Sequence, residues 1–478
     1  MEEYDIVVAG AGVAGSIAAA SARINGAEKV LLLDRNDIEH AGKKTNWGWV
    51  CGDAVAKTHI DFVSKELNLS FGKEIDQKVN GVYVLSPDLS TKFLFEGEGY
   101  SLNRPELGRS LVNFAIKKGV EFRGGYEVEG PIIKNSKVVG VFGKDEKKQN
   151  FEIYAKIVID ALGIASTLRR KLPQNEFIDR EVDIHDIEAT GRYIAKVDIN
   201  DNDLNYYDKD NAIIHLNQEL APGGYGWVFP KTGNRVNIGV GVEKSSLEIR
   251  NKKLKKNDNL HSLIDAYVSW NKAIKIREID QTDNNGKGYW SVSVRRQMES
   301  LVIDNYMGAG DSMAMPNPVS AGGIGPAMTA GVLSGKVAAD AIINKDTSID
   351  FLWKYNLLYN EKYGSKTGAL EVFRIYLQSL SNDIINYGMK NFLTKKEAIS
   401  LAYGEDVELS LADKFTAFIS GLKNISAFKN LLYTVNKMRE MNRLYNEYPK
   451  SPKEFKDWKN KVNNIIKEVK EKFPPNPI

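Results

Sequence analysis

Tyr4-Asp5-Ile6-Val7-Val8-Ala9-Gly10-Ala11-Gly12-Val13-Ala14-Gly15 opens this 478-residue chain and decides its fold. Tyr4–Ala9 has the Ile/Val content of a buried parallel strand. Gly10, Gly12 and Gly15 follow at G-x-G-x-x-G spacing. Small residues over Ser16–Asn25 suit a helix, Gly26 ends it, and Lys29–Leu33 reads as a second strand closed by Asp34. Gly10 permits a tight turn, Gly12 lets a pyrophosphate approach the backbone, and Gly15 lets helix and strand pack closely. The helix start at Val13 and Ala14 turns amide dipoles toward the phosphates. Asp34, with Arg35 beside it, stands where a ribose hydroxyl donates. The motif alone does not separate FAD from NAD.

Two later segments repeat this pattern. Lys156–Ile159 reads as a strand, with Asp160 and Gly163 where it ends and Ser166 and Arg169 in a following helix. Leu301–Ile303 and Tyr306–Gly308 bracket a turn at Asp304-Asn305, and Gly310-Asp311 follows. An Asp at a strand end can accept from a ribityl hydroxyl. Pro316, Pro318, Gly322, Gly323, Ile324 and Gly325 then precede a small-residue helix from Ala327 to about Ile343. Its N-terminus can direct amides at a flavin ring. The blander reading is a stiff Pro/Gly loop before a packed helix.

Together the three segments resemble the FAD-binding signature of the para-hydroxybenzoate-hydroxylase-like flavoproteins. The resemblance implies FAD held by Gly10–Gly15, Asp34, Arg35, Asp160, Gly163, Gly310 and Asp311, and by Pro318, Gly322, Gly323 and Ile324. Leu162 departs from the family's middle motif. Asn103-Arg104-Pro105, before Glu106–Lys117, resembles its arginine-bearing helix, with Arg104 or Arg109 facing the cofactor.

Two further segments, Trp49-Val50-Cys51-Gly52-Asp53 and Pro222–Pro230, resemble the archaeal and plant geranylgeranyl reductase family. There a Tyr-x-Trp-x-Phe-Pro motif lines an isoprenoid channel and a cysteine sits beside the flavin. Tyr225, Trp227, Phe229 and Cys51 match those positions. The resemblance covers roughly residues 1–380. It implies a reductase that saturates C=C bonds of geranylgeranyl chains, free or in archaeal membrane-lipid precursors, by hydride transfer from reduced flavin. Cys51, Tyr225 and Trp227 would serve catalysis, Tyr225, Trp227 and Phe229 the prenyl chain, and Cys51 and Gly52 the cofactor. Electrons would come from NADPH or a reduced ferredoxin-like protein, since no second nucleotide fingerprint exists.

The residues support this independently. A prenyl chain offers no hydrogen bonds, so its channel needs broad apolar surfaces. Strand alternation puts Tyr225, Trp227 and Phe229 on one face and Gly226 and Val228 on the other. The same stripe also reads as ordinary core, and Cys51 as a small buried hydrophobe. An FAD monooxygenase of an aromatic or polyprenyl substrate remains open on the same framework, as does a non-catalytic flavin protein. An NAD dehydrogenase leaves Gly310–Gly325 unexplained.

Composition excludes several classes. Hydrophobic residues make up 42%, charged residues 27%, and the net charge is +3 with no basic stripe, which argues against nucleic acid. Cys51 is the sole cysteine, so an internal disulfide and a thiolate metal cluster are excluded. His40, His59, His185, His215 and His261 are scattered, so no metal is expected; His185 and His215 could approach the cofactor from the second sheet, but nothing local singles them out. No secretory pattern or bilayer-length apolar run is visible, so the expected location is the cytoplasm, with peripheral membrane contact left open.

The expected fold class is α/β: a Rossmann-like FAD-binding domain of three-layer β/β/α type, a mostly antiparallel substrate sheet and a helical C-terminal region. The expected boundaries are discontinuous, with 1–75, 101–180 and 301–349 binding FAD, 76–100 and 181–300 forming the substrate sheet, and 350–478 helical. Phe351, Tyr355, Leu358 and Tyr359 carry helical spacing, repeated over Leu411–Ile419, Ala427–Met438 and Phe455–Val469. That region would dock on the body, form a dimer interface, cover the substrate entrance or touch a membrane.

Overall fold

The computed structural model describes residues 2–41, 51–200, 203–280, 286–405 and 425–477. Trp49, Val50 and the helix expected over Leu411–Ile419 lie outside the described residues. The first of two sheets carries β1 (Glu3–Ala9), β2 (Val30–Leu33), β6 (Glu121–Arg123), β7 (Glu127–Lys134), β8 (Lys137–Lys144), β9 (Asn150–Asp160), β16 (Val302–Ile303) and β17 (Tyr306–Gly308). The second carries β3 (Ala54–Ala56), β4 (Ile75–Leu85), β5 (Lys92–Leu102), β10 (Ile187–Ile199), β11 (Ala212–His215), β12 (Gly226–Lys231), β13 (Arg235–Glu243), β14 (Ile274–Ile279) and β15 (Lys287–Ser293).

In the first sheet β17, β9, β1, β2 and β6 run parallel in that order. Ala9 pairs with Leu33 and with Asp160, and Asp160 pairs with Gly308. The three glycine- and aspartate-bearing segments therefore emerge at one level, at the carboxyl ends of adjacent parallel strands. That edge is where open α/β sheets bind ligands. β7 and β8 join this sheet through β9, since β8 pairs with both β7 and β9.

The helix Val13–Ile24 is buried along most of its length and packs against the helix Ile324–Asn344. Small residues allow this closeness. A Cβ on Gly331 would lie 2.6 Å from the Ala14 carbonyl oxygen, and the Ser21 hydroxyl donates to the Val332 carbonyl at 2.8 Å. The helix Arg104–Lys117 packs beside them.

The second sheet is antiparallel apart from the parallel β4–β11 pair. Its inner strand β12 begins at Gly226, so Trp227 and Phe229 lie in the strand and Tyr225 immediately before it. Ile213, Val228, Ile238 and Val240 face the helix Leu260–Trp270 in one core, whereas Ala212, Trp227 and Phe229 form a separate cluster on the other face.

The C-terminal helices dock on the body. Trp353 Nε1 donates to the Pro449 carbonyl at 2.8 Å, and the Tyr448 hydroxyl to the Glu299 carbonyl at 2.7 Å. Arg296 pairs with Glu371 at 2.5 Å and also with Glu299, tying the helix Ser365–Gln378 to the segment before β16. No described helix is long and apolar enough to cross a membrane.

Candidate functional site

Gly10 leaves β1 with φ +98°, and a Cβ there would collide with the Ala161 carbonyl oxygen. The turns after β1 and β9 thus touch backbone to backbone, which only glycine permits. Gly12 caps the helix Val13–Ile24 without any side-chain cap, leaving its first amides to a ligand. Asp34 Oδ2 accepts from Ala11 N at 2.7 Å and Oδ1 from Asn36 N at 2.8 Å. Each oxygen keeps a lone pair for a ribose hydroxyl. Burial raises the Asp34 carboxyl above its ordinary value, against these two bonds.

Asp160 has a different role from the one expected. It is fully buried and accepts from the Ser166 and Tyr306 hydroxyls and from the Leu162 and Arg169 amides. Its carboxylate is a brace and turns no oxygen to a ligand. Arg169 extends the brace by donating to the Ser312 carbonyl, and the Ser312 hydroxyl donates to the Asp160 carbonyl at 2.8 Å. Gly163, at φ +77° with open space around where a Cβ would stand, is half-buried in this turn.

The Gly310-Asp311 segment is held by that brace. No described donor meets the Asp311 carboxylate, whose pKa is pushed up to about 6 by burial and drawn back by the Arg104 charge. Arg104 is buried at the start of its helix and also acts on Cys51, whereas Arg109 pairs with Glu106. Of the two arginines, Arg104 is the one whose charge acts on both Asp311 and Cys51. A Cβ on Gly323 would lie 3.3 Å from Asp311 Oδ1, so Gly323 and Asp311 share one cradle. Ile324 starts the following helix and Gly322 is exposed beside Pro318 in the loop. Gly325 faces elsewhere, under the His59 ring.

On the second sheet the rings of Tyr225, Trp227 and Phe229 follow one another at 6.1 and 6.3 Å between centroids. Ala54, Val82 and Ile214 extend this apolar face. The Tyr225 hydroxyl donates to the Ser320 carbonyl of the Pro/Gly loop, joining the aromatic face to the strand-end edge. Burial raises the Tyr225 phenol, so it keeps its proton at neutral pH. Trp227 Nε1 donates to Asn237 Oδ1 at 2.9 Å, so its N–H is committed inside the protein. What the indole leaves to its surroundings is an apolar surface.

Asn237, wholly buried, makes two further bonds, to the Cys51 carbonyl at 2.8 Å and to Asp53 Oδ2 at 2.9 Å. It clamps the Cys51 turn to the aromatic strand. Asp53 adopts φ +65°, and the buried Lys231 ammonium lies 3.4 Å from it and 3.2 Å from Asp76. Burial pushes the Cys51 thiol up, so it stands as S–H rather than a nucleophilic thiolate. Gly52 lies against Phe229, with a Cβ 3.0 Å from that ring.

Neither His215 nor His185 joins the aromatic face. Alternation along β11 turns His215 into the opposite core, where it bonds the Tyr267 hydroxyl at 2.6 Å and the Asn205 carbonyl at 2.7 Å. His185 is exposed beside Ser245. Sequence reasoning missed Asn237, Lys231 and Tyr306. Only Asn237 carried a signal, as a lone amide within the apolar run Val236–Val242.

Comparison with known proteins agrees with this geometry. Residues 5–170 match the FAD dependent oxidoreductase family and residues 186–280 the geranylgeranyl reductase catalytic domain. Digeranylgeranylglycerophospholipid reductase of Sulfolobus acidocaldarius is 33% identical over 453 residues, 93% of each chain. That match reaches into the C-terminal helices, beyond the roughly 380 residues of the sequence resemblance. Digeranylgeranylglycerophospholipid reductase 2 of Methanococcoides burtonii is 30% identical over 76% of this chain and 82% of its own. A geranylgeranyl bacteriochlorophyll reductase-like structure from Thermoplasma acidophilum superposes with TM-score 0.70 at 23% identity, over 91% of this chain and 100% of that one, and shows the shared fold. The chain belongs to the digeranylgeranylglycerophospholipid reductase family and is an FAD-dependent oxidoreductase.

Proposed function

We propose that this protein binds FAD along the strand-end edge and reduces C=C bonds in the geranylgeranyl chains of a glycerophospholipid. The observation that carries this reading is the aromatic face of Tyr225, Trp227 and Phe229, tied to the flavin-side loop through Ser320 and to the Cys51 turn through Asn237. FAD, when bound and reduced, supplies the hydride. The residues present fit it. Gly10–Gly15 would hold the pyrophosphate, Asp34 the ribose, and the Asp311 carboxylate, which no described donor meets, the ribityl chain.

The protein's own groups position and dry the alkene. Trp227 and Phe229 offer no free polar atom to a prenyl chain, so they orient it by contact alone and exclude water. Tyr225 carries the one phenolic proton on that face, currently directed at the Ser320 carbonyl. A lipid with two apolar chains is met at a membrane surface, so this reading includes peripheral contact there. Oxygen separates it from the monooxygenase alternative. Under air, substrate-coupled oxygen consumption with an oxygenated lipid product contradicts it, whereas prenyl saturation that proceeds equally without oxygen supports it.

Asp311 gives the reading a pH dependence. Its carboxyl, ordinarily near 3.8, is pushed up to about 6, so it is protonated below that pH and loses acceptor capacity toward a ribityl hydroxyl. FAD affinity is expected to weaken by roughly tenfold from pH 7 to pH 5. Asp311→Asn should bind FAD weakly at both values. Fluorescence titration of the apoprotein checks this, and equal affinity at the two pH values in the wild type contradicts it.

A further inference from the structure

Glu188 is 5% exposed and sits on β10 directly opposite Glu243 of β13. The two carboxyls are not equivalent. Glu243 accepts at both oxygens, from Ser245 N at 2.8 Å and Ser246 N at 2.7 Å, and lies 3.6 Å from His185. Glu188 has one long bond, from Gln378 Nε2 at 3.4 Å. Like charges facing each other across a strand pair are unfavourable, and a buried carboxylate with one donor is costly. Burial first, and Glu243 after it, push Glu188 up to about 8 despite Arg374, so it carries its proton at neutral pH.

Its oxygen lies directly beneath the turn that carries Tyr225. A Cβ on Gly241 would be 3.0 Å, and one on Gly224 3.3 Å, from Glu188 Oε2. The turn is fastened around this carboxyl. The Pro222 carbonyl accepts from Glu243 N at 3.0 Å, and the Tyr225 carbonyl from Gly241 N at 2.9 Å. The Gln378 amide reaches both Glu188 and the Gly223 carbonyl, the latter at 2.8 Å. The charged and titratable groups around Glu188 are Glu243 on β13, Tyr225 on the turn and Arg374 on the helix Ser365–Gln378. Behind Arg374 stand Asp186, which Lys470 also meets, and Glu371.

We propose that Glu188 is a positioning residue: as a neutral acid it seats the Pro222–Tyr225 turn, and with it the Tyr225 hydroxyl, on the flavin-side loop at Ser320, and its ionisation loosens that turn. A charged Glu188 against Glu243 must gain water or space, and the glycine backbone above it is the part that can yield. The effect on the turn stands on these contacts alone; the effect on turnover rests on the reductase reading.

The test compares wild-type holoprotein with Glu188→Gln, whose amide mimics the neutral acid, by hydrogen exchange of the amides at 223–226 from pH 7 to pH 9. Both proteins should exchange alike at pH 7. At pH 9 the wild-type turn should exchange about tenfold faster than that of E188Q, since a group titrating near 8 is then mostly ionised. Equal exchange at pH 9 overturns the proposal. If E188Q folds poorly, the wild-type series decides: no transition in 223–226, beyond intrinsic exchange, between pH 7 and pH 9 also overturns it. Prenyl reduction should lose about tenfold over the same range in the wild type, a limb that E188Q lacks. A pH-dependent turn in a protein that reduces no prenyl chain at any pH supports the role of Glu188 and contradicts the reductase reading.

Discussion

Asp160→Ala is expected to lower the unfolding free energy by about 3–5 kcal/mol and to abolish tight FAD binding. The size follows from what the carboxylate holds. Two hydroxyls and two amides, from Ser166, Tyr306, Leu162 and Arg169, converge on it in a fully buried place. Removing the acceptor strands these donors, and each buried unsatisfied donor costs about 1–3 kcal/mol unless it finds water. Burial already raises the carboxyl above its ordinary value, so part of the brace's strength is spent against desolvation. The loss propagates because Ser312, beside Asp311, is tied to the Asp160 backbone and to Arg169. Asp160→Asn keeps one acceptor oxygen, and the two hydroxyls can rotate, so its cost should be about 1–2 kcal/mol. Denaturant melts with FAD titration on both variants check the ranking. An alanine variant as stable as the asparagine one contradicts the brace.

Asn237→Leu is expected to lower kcat/KM for prenyl reduction by about 100-fold while leaving FAD bound. Three bonds disappear at once, to Trp227, the Cys51 carbonyl and Asp53. The indole then loses the contact that fixes its tilt across Gly239, and the Cys51 turn loses its tie to β12. Asp53 retains Lys231, so the turn stays folded but moves. Displacement of a substrate wall by about 1 Å is enough for a loss of that order. The effect should fall mainly on kcat, with a changed distribution of partly reduced products. An Asn237→Leu enzyme with wild-type kcat and product distribution contradicts the clamp.

The strand-end edge was legible in the sequence because its glycines answer to backbone contact. Gly10 is glycine since a Cβ would strike Ala161, and that requirement appears in one dimension as a spacing. The aromatic face was legible by alternation, which set Trp227 and Phe229 apart from Val228. Alternation says which face a residue takes, not which strand lies beside it. Trp227 meets Asn237, and Glu188 meets Glu243, through the registers of β12–β13 and β10–β13, and no local pattern encodes those registers. Asp160 misled for a related reason. Its place at a strand end suggested a ligand contact, but Tyr306 on the neighbouring strand claims the carboxylate. In the C-terminal helices the amphipathic stripes were visible, whereas the buried pairing of Arg296 with Glu371 depends on residues far apart in the chain.

The most direct test of the reductase reading is an anaerobic single turnover. Holoprotein reduced chemically, so that the physiological electron donor does not enter, is mixed with digeranylgeranylglycerophospholipid, and the lipid is weighed by mass spectrometry as the flavin spectrum is followed. The expected result is flavin reoxidation matched one for one by lipid that has gained two hydrogens. Flavin that stays reduced in the presence of the lipid, or reoxidises with the lipid mass unchanged, would contradict it.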